Sequence, residues 1–412
     1  MTRVLAVTLR YPPYAAGGYE LLARDAVEAL RARGHAVVVL CGAGRRFARD
    51  DGVRPWLEPD LDAAPDLFGR SSEASNAERF RLHFLRLANY RATLRAIDEE
   101  APEALLFFNL AHASLGPVLA ARHAGLRTLG YIADPWPENH WVRAWRADAR
   151  ASGAKPRRLL MLEQGWRLFR GLVELGPLLA CSQWMRAELI ADGLPPESVR
   201  VLSLGVSPEL SARAAAATPA ERRPGEPLRV ACTSMLWEGK GQHVLLKAAA
   251  RARAAGAPVE LDLAGAGGEA YESYLRELAA APELAGAVRF HGLLDRPGVS
   301  ALLARAHVFA LPSVWSEPFG LATAEAMAHG VAVLGSDAGA TPELVEHGRT
   351  GLLAPAGDPE PWCDALRRLA ADEGERRRLA AAGRAHARAA FDHGRFVDGL
   401  ERELRGAAEA RA

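Results

Sequence analysis

Cysteine is scarce: the 412 residues hold four, Cys41, Cys181, Cys232 and Cys363, far apart and without a Cys-x-x-Cys pair. That scatter argues against a disulfide framework or a zinc site and suits reduced, buried thiols in a cytoplasmic protein. An excess of one charge is lacking as well. Lys plus Arg (51) nearly cancel Asp plus Glu (50), so no global field favours nucleic acid, and no nucleic-acid partner is expected. Long hydrophobic runs are missing: nowhere do 18 apolar residues follow one another, and the opening "MTRVLAVTLRYPP" ends its short apolar stretch in arginine and prolines without a small-residue cleavage site. The expectation is a chain that is neither secreted nor membrane-spanning, with room only for peripheral membrane contact.

What is present is length and alternation. A chain of this size exceeds one core, and nearly half of its residues are hydrophobic. Apolar strand runs at 4–9, 36–41, 104–108, 128–133, 178–182 and 199–203 alternate with stretches of helical spacing such as "YELLARDAVEALRARGH" at 19–35. A second series follows at 228–234, 259–265, 288–292, 308–312, 331–337 and 351–355. Strands that alternate with helices give parallel sheets covered on both faces, so the fold class is α/β with two such domains. Their expected bounds are 1–207 and 228–385. Between them "SARAAAATPAERRPGEP" lacks large core residues and is punctuated by Pro and Gly, which places a linker at 208–227. The Ala- and Arg-rich residues 386–412 form a helical tail that either crosses back to the N-terminal domain or lies on the surface. Open parallel sheets bind ligands beyond the carboxyl ends of their strands, and two facing domains would enclose a cleft there.

The stretch "SEPFGLATAEAMAHG" at 316–330 carries the chemistry. It reads as a strand-to-helix loop followed by a helix that Gly330 ends. Phe319, Gly320 and Leu321 fall near the helix N-terminus, where free backbone N–H groups and the macrodipole favour an anion such as a diphosphate. Glu325 lies four residues beyond Leu321, about 6 Å along the axis and on the same face. Glu317 falls on the other side of the anion site. A carboxylate at either end suits the two hydroxyl-bearing rings of a nucleotide sugar. Alone, the two glutamates would equally suit a helix with an acidic first turn and an ordinary loop residue.

"SEPFGLATAEAMAHGVAVLGSDAGATPELVEHGRTGLLAPAGDPE" closely resembles the C-terminal signature of retaining GT-B glycosyltransferases of the GT4 type, with Glu317 and Glu325 on the family's E-x7-E motif. "CSQWMRAELIADGLPPESVRVLSLGV", "LWEGKGQHVLLKA" and "VRFHGLLDRPGVSALLARAHVFALPS" extend the likeness along essentially the whole chain. The resemblance implies two Rossmann-like domains facing each other across a cleft, the C-terminal one holding a nucleoside diphosphate sugar, the N-terminal one a hydroxyl acceptor. UDP is the first expectation for the base, GDP or ADP the next. No cofactor or metal is expected beyond that donor.

By the same resemblance Glu325 binds the ribose and Glu317 the donor hexose, while the backbone around Phe319, Gly320 and Leu321 binds the diphosphate together with Lys240. Gly17 and Gly18 match the glycine-rich first loop, and Leu293 the backbone contact to the base. Two positions depart from the pattern. Met235 stands where the family has a second donor-phosphate cation, and Ala133, followed by Asp134, where it often has a histidine; Asp134 and His112 are the candidates to act there. Trp136, Trp141 and Trp145 mark a candidate acceptor segment, although Trp141 and Trp145 share a helix face of the kind that is usually a core face. "GAGGEA" at 265–270 imitates a dinucleotide fingerprint at the wrong strand. "DLD" at 60–62 imitates a metal-binding motif, but it reads as an acidic loop without a preceding buried strand. The implied activity is retaining transfer of a hexose to a glycan, lipid-linked or small natural-product hydroxyl. The alternatives are a 2-epimerase or phosphorylase of the same fold, a nicotinamide oxidoreductase built on "GAGGEA", and a catalytically silent nucleotide-sugar-binding protein.

Overall fold

The computed structural model describes residues 1–13, 17–42, 52–58, 85–111, 113–136 and 175–409. They form two compact units, 1–202 with 397–412, and 203–396.

The first unit is built on a seven-stranded parallel sheet: β1 (Arg3–Val7), β2 (Ala36–Gly42), β3 (Val53–Leu57), β4 (Ala104–Phe107), β5 (Arg127–Ile132), β6 (Leu178–Ala180) and β7 (Val199–Val201), in the order β3-β2-β1-β4-β5-β6-β7. Val4 pairs with Val37 on one side and with Ala104 on the other, which puts β1 in mid-sheet. Its apolar run is continuous because both faces are covered: Val4, Leu5, Ala6 and Val7 are all buried. The helix Gly18–Ala32 turns Leu22, Ala23, Ala26, Val27 and Leu30 inward at helical spacing and stops at Arg33, before Gly34 takes a φ of 86°.

Strand β3 is absent from the sequence expectation. It pairs only with β2, so it is an edge strand, where Pro55 removes no ladder donor that the sheet needs. The proline hides it from pattern reading, although Val53 and Leu57 are buried. It also corrects the reading of "DLD": a strand with buried residues ends at Leu57, three residues before Asp60, while Asp60 and Asp62 themselves lie outside the described residues.

The second unit carries β8 (Leu228–Thr233), β9 (Val259–Ala264), β10 (Val288–Gly292), β11 (Val308–Leu311), β12 (Ala332–Ser336) and β13 (Leu352–Ala354), all parallel, in the order β10-β9-β8-β11-β12-β13. Both sheets thus share the winding 3-2-1-4-5-6, the first with one strand more. In each, the order reverses between the first and the fourth strand, so the loops leaving their carboxyl ends diverge and leave a crevice there. In the second unit those strands are β8 and β11.

Residues 208–227 hold a helix, Pro208–Ala216, capped by the Ser207 hydroxyl and burying Leu210 and Ala214 within the second unit. The last helix is His393–Glu409, and from Val397 onward it belongs to the first unit. There Leu400 and Leu404 are buried, and Arg33 reaches Asp398 at 2.6 Å and Glu401 at 2.9 Å.

Candidate functional site

In the second unit, the loops after β8 and β11 are stitched together by backbone. Val314 and Trp315 both donate N–H bonds to the Gly239 carbonyl, at 2.9 and 3.2 Å. Gly241 permits this approach: its φ is 68°, and a Cβ there would sit 1.9 Å from the Pro312 carbonyl oxygen. The loop after β12 closes in from the other side. Ala340 N–H donates to the Glu317 carbonyl at 2.7 Å, and a Cβ on Gly339 would meet the Glu317 backbone at 2.4 Å.

These contacts carry Lys240, at the end of a single 3₁₀ turn after β8, onto Glu317. The ammonium Nζ lies 2.7 Å from Oε1 and 3.0 Å from Oε2 of the carboxylate, and the Ser313 hydroxyl donates to Oε1. Glu317 is 3% exposed. A carboxylate taken so far out of water needs these partners, because removing one leaves an uncompensated buried charge. Trp315 presents its ring 5.2 Å from Nζ and meets Trp237 edge to face at 5.6 Å.

Gly320 caps the helix Leu321–Ala328 with φ 88°, a conformation that disfavours any side chain there. Leu321 opens the helix, and Glu325, half-buried, follows one turn on. The buried His329 holds the far end, its Nδ1 2.8 Å from the Glu325 carbonyl and its Nε2 2.8 Å from the Ser300 hydroxyl. The Phe319 ring is buried edge to face on Phe391, so only its backbone is left for a ligand. Leu293, just past β10, is 82% exposed, and Met235, past β8, is 55% exposed.

The glycines of "GAGGEA" have a packing role. A Cβ on Gly265 would lie 1.9 Å from the Ser234 carbonyl oxygen, and one on Gly267 1.8 Å from that of Leu236. They let the loop after β9 lie on the backbone of the loop after β8.

The first unit gathers a second group at the carboxyl ends of its strands. Gly17 N–H donates to Glu20 Oε2 at 2.9 Å, and Gly18 begins the first helix. The Tyr19 hydroxyl donates to the Tyr131 carbonyl and accepts from Ala133 N–H at 3.3 Å. Next to Ala133, Asp134 accepts from Asn109 Nδ2 at 2.8 Å and from Trp136 N–H at 3.2 Å. Burial, with the charge of Glu20 adding to it, outweighs these two hydrogen bonds and pushes the Asp134 carboxyl up to about 7. Trp136 is a core residue, 2% exposed. His112, Trp141 and Trp145 lie outside the described residues.

Ser313, Trp315, Tyr19 and Asn109 went unread in the sequence. Asn109 carried a usable signal: it is the first polar residue after "LLFF", at the carboxyl end of the strand beside β1.

Two family models match this chain, "Glycosyltransferase Family 4" over residues 16–210 and "Glycosyl transferases group 1" over residues 227–372. The chain belongs to the group 1 glycosyltransferases of the GT4 type. The amylovoran biosynthesis glycosyltransferase AmsK of Erwinia amylovora is 32% identical over 206 residues, 48% of either chain, so the match spans about half of that relative's length. The glycogen synthase of Mycobacterium tuberculosis is 29% identical over 402 residues, 95% of this chain and 91% of that one. Among solved structures, Anabaena Alr3699/HepE in complex with UDP-glucose superposes with a TM-score of 0.69 at 20% identity, covering 98% of this chain and all of that one. This glycosyltransferase therefore has the GT-B fold. All four of its cysteines are buried and none is in a disulfide. Among the described residues, no helix is long and apolar enough to cross a membrane. The one group of acidic and thiol side chains there with the spacing of a metal site, Glu360, Cys363 and Asp364, lies on the helix Pro359–Ala371, away from the residues above in sequence.

Proposed function

We propose that this glycosyltransferase moves a hexose from a nucleoside diphosphate sugar, UDP-linked in the first instance and GDP- or ADP-linked in the next, to a hydroxyl of a glycan, lipid-linked or small natural-product acceptor. The transfer retains the anomeric configuration, requires no metal or further cofactor, and takes place in the cytoplasm. The observation that supports this most is the Lys240 ammonium on the buried Glu317 carboxylate beside the Gly320-capped helix, at the reversal point of the second sheet.

In this reading the N–H groups at the start of the helix Leu321–Ala328 and the Lys240 ammonium hold the diphosphate. Glu325 takes the ribose hydroxyls, Glu317 the hexose hydroxyls, and the backbone at Leu293 the base. Lys240 exchanges part of its contact with Glu317 for the donor phosphates, which frees carboxylate lone pairs for the sugar. Gly17, Gly18, Asp134 and His112 serve the transferred sugar and the acceptor. The bond from the anomeric carbon to the diphosphate oxygen breaks while the acceptor oxygen bonds on the same face; the acceptor proton passes to the departing diphosphate. The protein's share is positioning and charge stabilisation. With Met235 in place of a second cation, that stabilisation rests on Lys240 and the helix dipole.

The test is a thermal-shift panel of UDP, GDP, ADP and their hexoses, followed by incubation of the best donor with hydroxyl acceptors and NMR of the product anomer. Stabilisation by one nucleotide, with an α-donor giving an α-product, is expected. An inverted product, an isomerised free donor, or binding with neither transfer nor slow donor hydrolysis would overturn the reading.

A further inference from the structure

Asn109 and Asp134 stand at the carboxyl end of the first sheet, each two residues past its strand: Phe107 ends β4 and Ile132 ends β5. The two strands are neighbours, with Phe107 beside Gly130, and the loop after β4 lies where the strand order reverses. The Asn109 amide has one orientation. Its Oδ1 accepts the Ala111 N–H at 2.8 Å, which leaves Nδ2 to donate to Asp134 Oδ2, also at 2.8 Å. Its backbone carbonyl accepts the Leu9 N–H at 3.2 Å, so this loop is tied to the one after β1.

Asp134 is half-buried, and among the described residues no cation bonds to it. A carboxylate that serves packing alone is met by a cation or by a full set of donors. Here each oxygen holds a single neutral donor, Asn109 Nδ2 on Oδ2 and the Trp136 N–H on Oδ1 at 3.2 Å, and keeps lone pairs to spare. The titratable groups that face it come from the first helix: Glu20, whose charge opposes its ionisation, and Tyr19, whose hydroxyl stays protonated because of its burial and then the Asp134 charge. The two donors are what favours the ionised carboxyl, and one of them is the Asn109 side chain.

We propose that Asn109 is a positioning residue for the transfer: it holds the Asp134 carboxylate so that its spare lone pairs accept a hydrogen bond from the incoming hydroxyl of the acceptor. This rests on the function proposed above and adds to it the group that orients the acceptor; the acceptor proton still leaves on the diphosphate.

Carbon-13 NMR of the full chain, labelled at its aspartate carboxyls, follows Asp134 directly, its signal being the one missing from Asp134→Asn. Hydrolysis of UDP-glucose against pH gives the rate, with water as the smallest hydroxyl acceptor. In the unaltered protein both should turn at about pH 7, the rate rising as the carboxyl ionises. In Asn109→Ala both midpoints should move up together by about one pH unit, the worth of one hydrogen bond to a charged group. In Asp134→Asn the rate should be low and its acid limb absent, a result that stands even if Asn109→Ala fails to fold. A loss of rate in Asn109→Ala that is equal at every pH, with the carboxyl midpoint unmoved, would overturn the proposal, as would an acid limb that persists in Asp134→Asn. If the unaltered protein consumes no UDP-glucose, the donor reading fails instead, and the response of the Asp134 carboxyl to Asn109→Ala decides: an unmoved midpoint overturns the positioning role.

Discussion

Glu317 sits 3% exposed, and Lys240 is its cation. Stripping either charge of water costs several kcal/mol, which the pairing and the Ser313 hydroxyl offset only while both partners remain. Lys240→Met should thus cost about 3–5 kcal/mol in urea unfolding, by stranding a buried carboxylate, and adding Glu317→Gln should recover part of that loss. Additive losses in the double variant would deny the coupling. On function, Glu325→Ala should weaken UDP binding, whereas Glu317→Ala should mainly lower turnover; calorimetry and initial rates separate the two. Asp134 makes a pH prediction. Its carboxyl is raised in the folded protein to about 7 from an ordinary value near 4, so the folded state holds the proton more tightly than the unfolded chain. The stability this gives is present below about pH 4 and is lost as pH rises through about 7. Asp134→Asn should accordingly gain in Tm relative to the parent protein between pH 4 and pH 7, and a pH-independent difference would contradict the assignment.

Glycine geometry governs the elements that hold the site. At Gly241 the left-handed φ and the Pro312 carbonyl 1.9 Å from any Cβ both forbid a side chain. Gly241→Ala should push the β8 and β11 loops apart and lower both Tm and nucleotide affinity, while Gly268→Ala, with open space around it, should change neither by much. Much of the element level was legible in the sequence. The strands of the second series read directly as apolar runs, and Gly320 falls, as its residue type suggests, at the start of the helix Leu321–Ala328. Strand β3 was not legible, because an edge strand tolerates the proline that breaks its pattern. Nor was the Lys240–Glu317 pair, whose members lie 77 residues apart and meet only through backbone bonds between two loops. The resemblance assigns each residue to the donor; nothing local in the sequence placed them against each other.

At the scale of the molecule, one winding is used twice, and in both sheets the polar groups gather where the strand order reverses. The last helix completes the first unit rather than decorating it: Leu400 and Leu404 are fully buried there. Leu404→Ala should cost about 2–5 kcal/mol, and a chain ending at Phe396 should melt markedly lower than the full one. Equal melting would show that the helix carries no weight in the fold. The central claim is that a nucleoside diphosphate sugar lies over the start of the helix Leu321–Ala328. A crystal structure of the intact protein with UDP-glucose tests it most directly. The account predicts diphosphate oxygens within hydrogen-bond distance of the Gly320 and Leu321 amides and of Lys240 Nζ, with the hexose against Glu317. A diphosphate bound elsewhere, with the Lys240–Glu317 contact unchanged, would contradict it.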